Sequence, residues 1–405
     1  MGPTGNKIMT VIGGNFSGRT TYLKDKSGFQ SNTDVGRGKF QYLGSDVSNY
    51  ISGVSSTVHE ELNLHYSRDD LVNETWVKNA IVDLLLSDKL DQNPFVLSGG
   101  EQALLTILAL VLKQNPCIAL DCALEQLSET SRNKVFHLFS RLDFLESVLI
   151  ADNRLREFDC FDESSQVVLK KHVQDQEINP EEYLAYIDDS YSIEIENLNF
   201  TYKAGKKIFT DASFNLDVSQ VLVLKGENGS GKSTFSKLMC GILEAESGVF
   251  SAANGGKEFR PFENPAEVFA YHFQNPDLQL FSNNVYNEIK LSAKNKTDKN
   301  ILSILKTFGL ESSRNKHPMD LSFSLRKRLA MGVTFAMERP WVILDEPSIG
   351  QDDESIIKIA EIIKKQSLAG TGFIVISHSK SFISLLDCRS FEIRKGQFVE
   401  ENKSD

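Results

Sequence analysis

No run of about eighteen uninterrupted apolar residues occurs anywhere in the 405-residue chain, so nothing in it reads as a bilayer-spanning helix. No apolar stretch follows the first methionine, and no secretory signal is expected. Cysteine is scarce. The five present are irregularly spaced, match no metal or disulfide framework, and fit reduced, buried thiols in a cytosolic setting. Positive charge is also in deficit, with 44 Lys and Arg against 55 Asp and Glu. The resulting net charge of −11 argues against a nucleic-acid-binding surface. What remains is an ordinary globular composition, 40% hydrophobic and 24% charged, long enough for two or three domains with their own cores.

The most informative stretch is Gly226-Glu227-Asn228-Gly229-Ser230-Gly231-Lys232-Ser233-Thr234. The apolar run Val221–Leu224 before it predicts a buried strand, and apolar spacing from Phe235 to Leu243 predicts a helix. Strand, glycine-rich turn and helix N-terminus together make a phosphate cradle. Its glycines let backbone N–H groups turn inward where a Cβ would obstruct. Lys232 is expected to reach the β- and γ-phosphates, and Ser233 to offer its hydroxyl to Mg²⁺.

The chain also repeats itself. Val11–Thr21 is a worn copy of the same loop, and Leu97-Ser98-Gly99-Gly100-Glu101-Gln102 corresponds to Leu321-Ser322-Phe323-Ser324-Leu325-Arg326. Ile118–Cys122 matches Val342–Glu346, Val148–Asp152 matches Ile374–His378, and Asp159-Cys160 recurs as Asp387-Cys388. Constant order with slightly drifting offsets implies two homologous domains, 1–171 and 191–405. Between them the acidic stretch 172–190, with Pro180, suggests a linker or short helix. The alternation Ile193-Glu194-Ile195-Glu196 opens the second domain as a strand. The first copy begins almost directly on its loop strand, without room for such opening strands.

These motifs resemble those of tandem ATP-binding-cassette (ABC) ATPases over nearly the whole chain. The resemblance implies an α/β fold in each half: a mostly parallel sheet with flanking helices, a β-subdomain and a helical insert. It further implies that Tyr202 stacks on adenine and that Gly226, Asn228, Gly229, Ser230, Gly231, Lys232, Ser233 and Thr234 cradle the phosphates. Gln274, in the Q-loop Phe273–Asp277, would sense Mg²⁺ and the γ-phosphate. Asp345 would orient Mg²⁺, Glu346 would polarise the attacking water, and His378 would bind the γ-phosphate. Taken singly, Asp345 also suits a helix cap, His378 a core imidazole and Tyr202 strand packing. With the motifs in register, those readings lose weight.

The stretch Phe273–Ser282, with Val285 and Glu288 after it, is similar to the ATPases of energy-coupling-factor (ECF) vitamin and cobalt importers. Gly53–Val58 with Glu60 and Glu61 holds the equivalent place in the first half. In that family this flank meets the membrane partner, and Leu280 is taken as one of its contacts. The resemblance implies a membrane-spanning scaffold, a substrate-binding membrane subunit, and a peripheral position on the cytoplasmic face of the membrane. A soluble tandem ABC protein, such as a translation factor or DNA-repair ATPase, is the rival reading; an exporter or regulatory ATPase is a third.

Departures from the pattern are segregated. Phe16 stands for Gly229, Arg19 for Lys232, Ser45 for Gln274, Cys122 for Glu346 and Asp152 for His378. The second half keeps these residues but has lost both signature glycines, which become Phe323 and Ser324. ABC domains pair head to tail, so the intact signature Ser98, Gly99 and Gly100 would complete the intact Walker motifs. One composite site is then expected to hydrolyse ATP with Mg²⁺ and the other at most to bind it, with the halves paired inside the chain.

Overall fold

The unbroken apolar runs become the central parallel strands, as expected for strands covered on both faces. The computed structural model describes residues 8–13, 22–23, 26, 40–44, 47–66, 75–124, 127, 129–152, 166–169, 177–187, 192–202, 205, 207–217, 219–226, 229–254, 257–259 and 265–401. The chain falls into two units, Met1–Val173 with Gly350–Asp353, and Gln174–Ile349 with Glu354–Asp405.

In the first unit five parallel strands lie in the order β2 (Gln41–Leu43), β3 (Cys117–Asp121), β4 (Ser147–Asp152), β1 (Ile8–Gly13) and β5 (Gln166–Leu169). Helices α1 (Val58–Leu64) and α2 (Thr75–Asp83) precede the long α3 (Gly99–Leu112), and α4 (Glu129–Arg141) follows β3. Every residue of α3 from Ala103 to Leu112 is buried, which explains its apolar circumference.

The second unit has six strands ordered β11 (Phe269–His272), β12 (Trp341–Asp345), β13 (Gly372–Ile376), β8 (Val221–Lys225), β14 (Arg389–Arg394) and β15 (Gln397–Glu401). All pair in parallel except the terminal β14–β15 ladder. A separate antiparallel sheet, β10 (Lys257–Phe259), β9 (Ser247–Asn254), β6 (Ser192–Thr201) and β7 (Lys207–Leu216), supplies the expected β-subdomain. On β6, Ile193 and Ile195 are buried while Glu194 and Glu196 are exposed, as the alternation requires. Helix α5 (Lys232–Met239) lies between the sheets, its Phe235 ring packed against Phe214 at 5.6 Å and Phe398 at 5.0 Å. That packing fixes the helix whose N-terminus carries the glycine loop. Helices α6 (Val285–Ser292), α7 (Asp298–Thr307) and α8 (Phe323–Ala336) form the helical insert, and α9 (Asp353–Leu368) follows β12.

The repeat extends to backbone detail. Cys122 (φ 56°) and Glu346 (φ 48°) share a left-handed kink, as do Gln114 (53°) and Glu338 (50°). The amide of Cys122 donates to Ala151 O at 2.7 Å, and that of Glu346 to Ile376 O at 2.9 Å. Glu61 on α1 accepts from the amide of Ser52 at 2.9 Å, and Glu288 on α6 from the amides of Phe281 and Ser282. Register corrects one correspondence. Asp121 pairs with Ala151 and Asp345 with Ile376, so Asp152 matches Ser377, not His378. The similar apolar runs hid a one-residue slip, and the position that matches His378 lies outside the described residues.

Residues 177–187 form no helix. They run as an extended strap along the second unit, with Ile178, Tyr183, Ala185 and Ile187 buried. The amide of Asn179 donates to Thr307 O at 2.8 Å, and that of Ile187 to Ala369 O at 2.9 Å. The Tyr183 hydroxyl donates to Glu338 at 3.1 Å, and Gln366 bonds the strap main chain on both sides of Leu184.

Candidate active site

The site grows from the end of β8. Gly226 (φ 143°), Gly229 (76°) and Gly231 (115°) hold left-handed or extended-positive conformations that side chains disfavour. A Cβ on Gly226 would lie 2.6 Å from Ser230 Oγ, and one on Gly231 2.7 Å from Ile208. The loop therefore tolerates glycine alone at these two positions. Lys232, 9% exposed, folds back to donate from Nζ to Gly226 O at 2.7 Å. Burial pushes its pKa down, and Glu346 and Asp345 oppose that shift. Asn228 lies outside the described residues, as do Phe16, Arg19 and Ser45.

Behind the loop, β12 ends on two buried carboxylates. Asp345 Oδ2 accepts from the Tyr271 hydroxyl at 3.0 Å and from Ser233 Oγ at 3.4 Å. Burial, and then the charge of Glu346, raise Asp345 to about 6, against the pull of Tyr271, Lys327 and Lys232. Glu346 Oε2 accepts from Ser377 Oγ at 3.3 Å and from the amide of His378 at 3.4 Å. The His378 ring stands 3.8 Å from Glu346 Oε1. Burial, reinforced by Lys232, lowers His378 to about 4, so the imidazole is neutral at pH 7.

Tyr202 hydrogen-bonds Thr234 through its hydroxyl at 3.0 Å and packs edge-on to Phe200, leaving the ring 37% exposed beside α5. The Q-loop is tied to α8: Lys327 Nζ donates to Gln274 O at 3.1 Å, and Arg326 pairs with Asp277 at 3.0 Å. Beyond it, Leu278 is 61% and Phe281 77% exposed, whereas Leu280 is 5% exposed and serves the core. Leu280 is therefore a core residue, and Leu278 and Phe281 are the exposed apolar side chains of this loop.

In the first unit, Ser98 caps α3. Its hydroxyl and amide both donate to Glu101 Oε2 at 2.8 Å, while the Glu101 amide returns to Ser98 Oγ. Gly99 and Gly100 are the first helical residues, whose amides have no partner within the helix. Asp121 keeps a tyrosine of its own: Tyr42 donates to its Oδ2 at 2.6 Å, the same strand position as Tyr271. Tyr271 and Lys327 were not singled out from the sequence. The recurrence of tyrosine at both positions was the available signal for the first.

The donor set fits a polyphosphate and a hard divalent cation. A glycine cradle that a Cβ would fill faces a buried amine, and a hydroxyl and a carboxylate oxygen approach within 3.4 Å beside it.

Residues 209–349 match the ABC transporter family model. An ABC transporter ATP-binding protein of Pyrococcus horikoshii is 31% identical over 193 residues, 46% of this chain and 74% of that protein. The energy-coupling factor transporter ATP-binding protein EcfA2 of Clostridium perfringens is 29% identical over 220 residues, 52% of this chain and 77% of that one. Among solved structures, a model of ribosome-bound archaeal Pelota and ABCE1 superposes with a TM-score of 0.70 at 19% identity, over 96% of this chain and 73% of that one. This last likeness concerns the fold alone. With the P-loop, paired carboxylates and α/β sheet already in place, the chain belongs to the ATP-binding proteins of ABC transporters and is an ATPase.

Proposed function

We propose that this chain energises an ECF-type importer, hydrolysing ATP at one competent site built on the second unit's Walker motifs. In this reading Gly226, Asn228, Gly229, Ser230, Gly231, Lys232 and Thr234 bind the phosphates, and Tyr202 stacks on the base. Ser233, Gln274 and Asp345 hold Mg²⁺, which when bound neutralises charge building on the β- and γ-phosphate oxygens. Glu346 accepts a proton from the attacking water as the γ-phosphoryl group leaves ADP. Neutral His378 donates an N–H to a γ-phosphate oxygen without bringing a positive charge. Ser98, Gly99 and Gly100 complete the site from the first unit, so the halves pair within the chain. The first unit's own motifs, lacking the glutamate, form the degenerate site.

The hydroxyl of Tyr271 holds Asp345 at the oxygen it shares with Ser233. Tyr271→Phe keeps the ring and removes that bond, of ~1.5 kcal/mol for a charged acceptor. The Mg²⁺ concentration for half-maximal ATP turnover is then expected to rise about tenfold. Titrating Mg²⁺ at saturating ATP measures it, and an unchanged requirement would remove Tyr271 from the site.

The importer assignment rests on one observation above others: Leu278 and Phe281 stand exposed on the loop that Lys327 and Arg326 tie to α8, next to Gln274. Exposed large apolar residues beside a nucleotide-sensing loop suit a membrane-embedded scaffold, with a substrate-binding membrane subunit beyond it. The 29% likeness to EcfA2 supports the same class of partner. The chain would then sit peripherally on the cytoplasmic face of the membrane. Phe281→Asp is expected to shift most of the chain from the membrane fraction to the supernatant, while ATP binding by the isolated protein is retained. Wild-type chain recovered on ribosomes or DNA, and absent from membranes, would favour the soluble tandem class instead.

A further inference from the structure

Lys327 is 0% exposed in the second turn of α8, and no step of the hydrolysis described above uses it. A lysine is seldom buried without a compensating charge. Its amine donates to two main-chain carbonyls, Gln274 O at 3.1 Å and Asp345 O at 3.5 Å. One belongs to the Q-loop and the other to the strand end that carries both carboxylates. Burial lowers the amine to about 8, and the fields of Asp345 and Glu346 resist that shift.

The first unit supplies a natural comparison. Five residues after its cap serine stands Ala103, where the second unit has Lys327 five residues after Ser322. The first unit also has Cys122 in the backbone conformation of Glu346. The buried amine and the second carboxylate are thus present together in one half and missing together from the other. Two buried carboxylates in succession, Asp345 at 3% and Glu346 at 6% exposure, need positive charge close by. Lys232 is the other cation whose field lowers Asp345, and it is the one assigned to phosphate.

We infer that Lys327 is a positioning residue of the hydrolytic site, holding the Q-loop main chain against the end of β12 and setting a buried positive charge beside the paired carboxylates Asp345 and Glu346. Because it bonds main-chain oxygens, it leaves the side chains of Gln274 and Asp345 for the nucleotide and its metal. The inference rests on the reading that Glu346 carries hydrolysis.

Lys327→Met keeps the length of the side chain and removes both charge and donors. Turnover is expected to fall at least about tenfold, while affinity for a fluorescent ATP analogue with Mg²⁺ changes less than about threefold, since the buried Lys327 amine is engaged by main-chain oxygens. The thermal midpoint should drop, and adding Glu346→Gln should restore it, because the neutral amide no longer needs the amine. Turnover within about twofold of wild type, or equal loss of midpoint with and without Glu346→Gln, overturns the inference. If Lys327→Met alone gives no folded chain, the double variant decides: recovery supports the inference and failure to recover overturns it. Full turnover by Glu346→Gln alone would instead unseat the reading of the site.

Discussion

Glu346→Gln is expected to lower steady-state ATP hydrolysis about 10²–10⁴-fold, the usual cost of losing a general base, or ~3–5 kcal/mol of transition-state stabilisation. Cys122→Ala should leave the rate within about threefold, because a thiol offers no comparable base at that place. The comparison is clean because the two residues share a left-handed kink and the same amide bond to the neighbouring strand. Only the side chain differs, so backbone geometry cannot account for a difference in rate. Rates of both variants, measured in the assembled complex, decide the matter. Equal damage from Cys122→Ala would mean that the first unit takes part in the chemistry and that the asymmetric scheme is wrong.

Gly99→Asp, in the unit without a catalytic glutamate, is expected to reduce turnover by a similar order, about 10²-fold or more, if the halves pair within one chain. The substitution suits its helix: an acidic residue in the first turn of α3 interacts favourably with the helix N-terminus, by ~0.3–1 kcal/mol. Gly99 is also not among the residues at positive φ, so no backbone strain arises. Loss of activity would therefore report bulk and negative charge set against the γ-phosphate, and not unfolding. The mirror experiment belongs at Phe323, the first residue of α8 and half-buried, because Ser324 beside it is 9% exposed and would bury the new charge. Phe323→Asp should leave the rate within about threefold, since the Walker motifs it would face are already defective. Robust turnover with Gly99→Asp, or collapse with Phe323→Asp alone, excludes internal head-to-tail pairing.

The parts legible in the sequence were those fixed by local chemistry. A glycine loop between an apolar strand and a helix announces itself, because only glycine accepts the conformations at 226 and 231. The repeat was equally visible, and the structure extends it to matching kinks at Cys122 and Glu346. Tertiary partners were not legible. That Lys327 is buried against the end of the Walker strand depends on how α8 packs on β11, which no spacing reports. Leu280 and Phe281 look alike as letters, yet one is in the core and the other exposed. The slip at Asp152 arose because Val148–Ala151 and Ile374–Ile376 are both featureless apolar runs, and only strand pairing sets their register. The strap carried no alternating pattern in its letters: Tyr183-Leu184-Ala185-Tyr186-Ile187 is apolar throughout, and only the structure shows burial alternating residue by residue as in an extended segment on an apolar surface. Proline and carboxylates just before it made the whole stretch look like a connector.

That strap settles where the chain can be cut. A fragment begun at residue 191, where the sequence suggests the second domain opens, would discard Ile178, Tyr183 and Ile187 and bare the surface they cover. Each buried apolar side chain of that size is worth ~1.5–3 kcal/mol, a large fraction of a domain's ordinary ~5–15 kcal/mol of stability. The half that carries the Walker motifs is complete only from residue 177 onward, so any attempt to express, transplant or recombine it as a module has to carry those eleven residues with it.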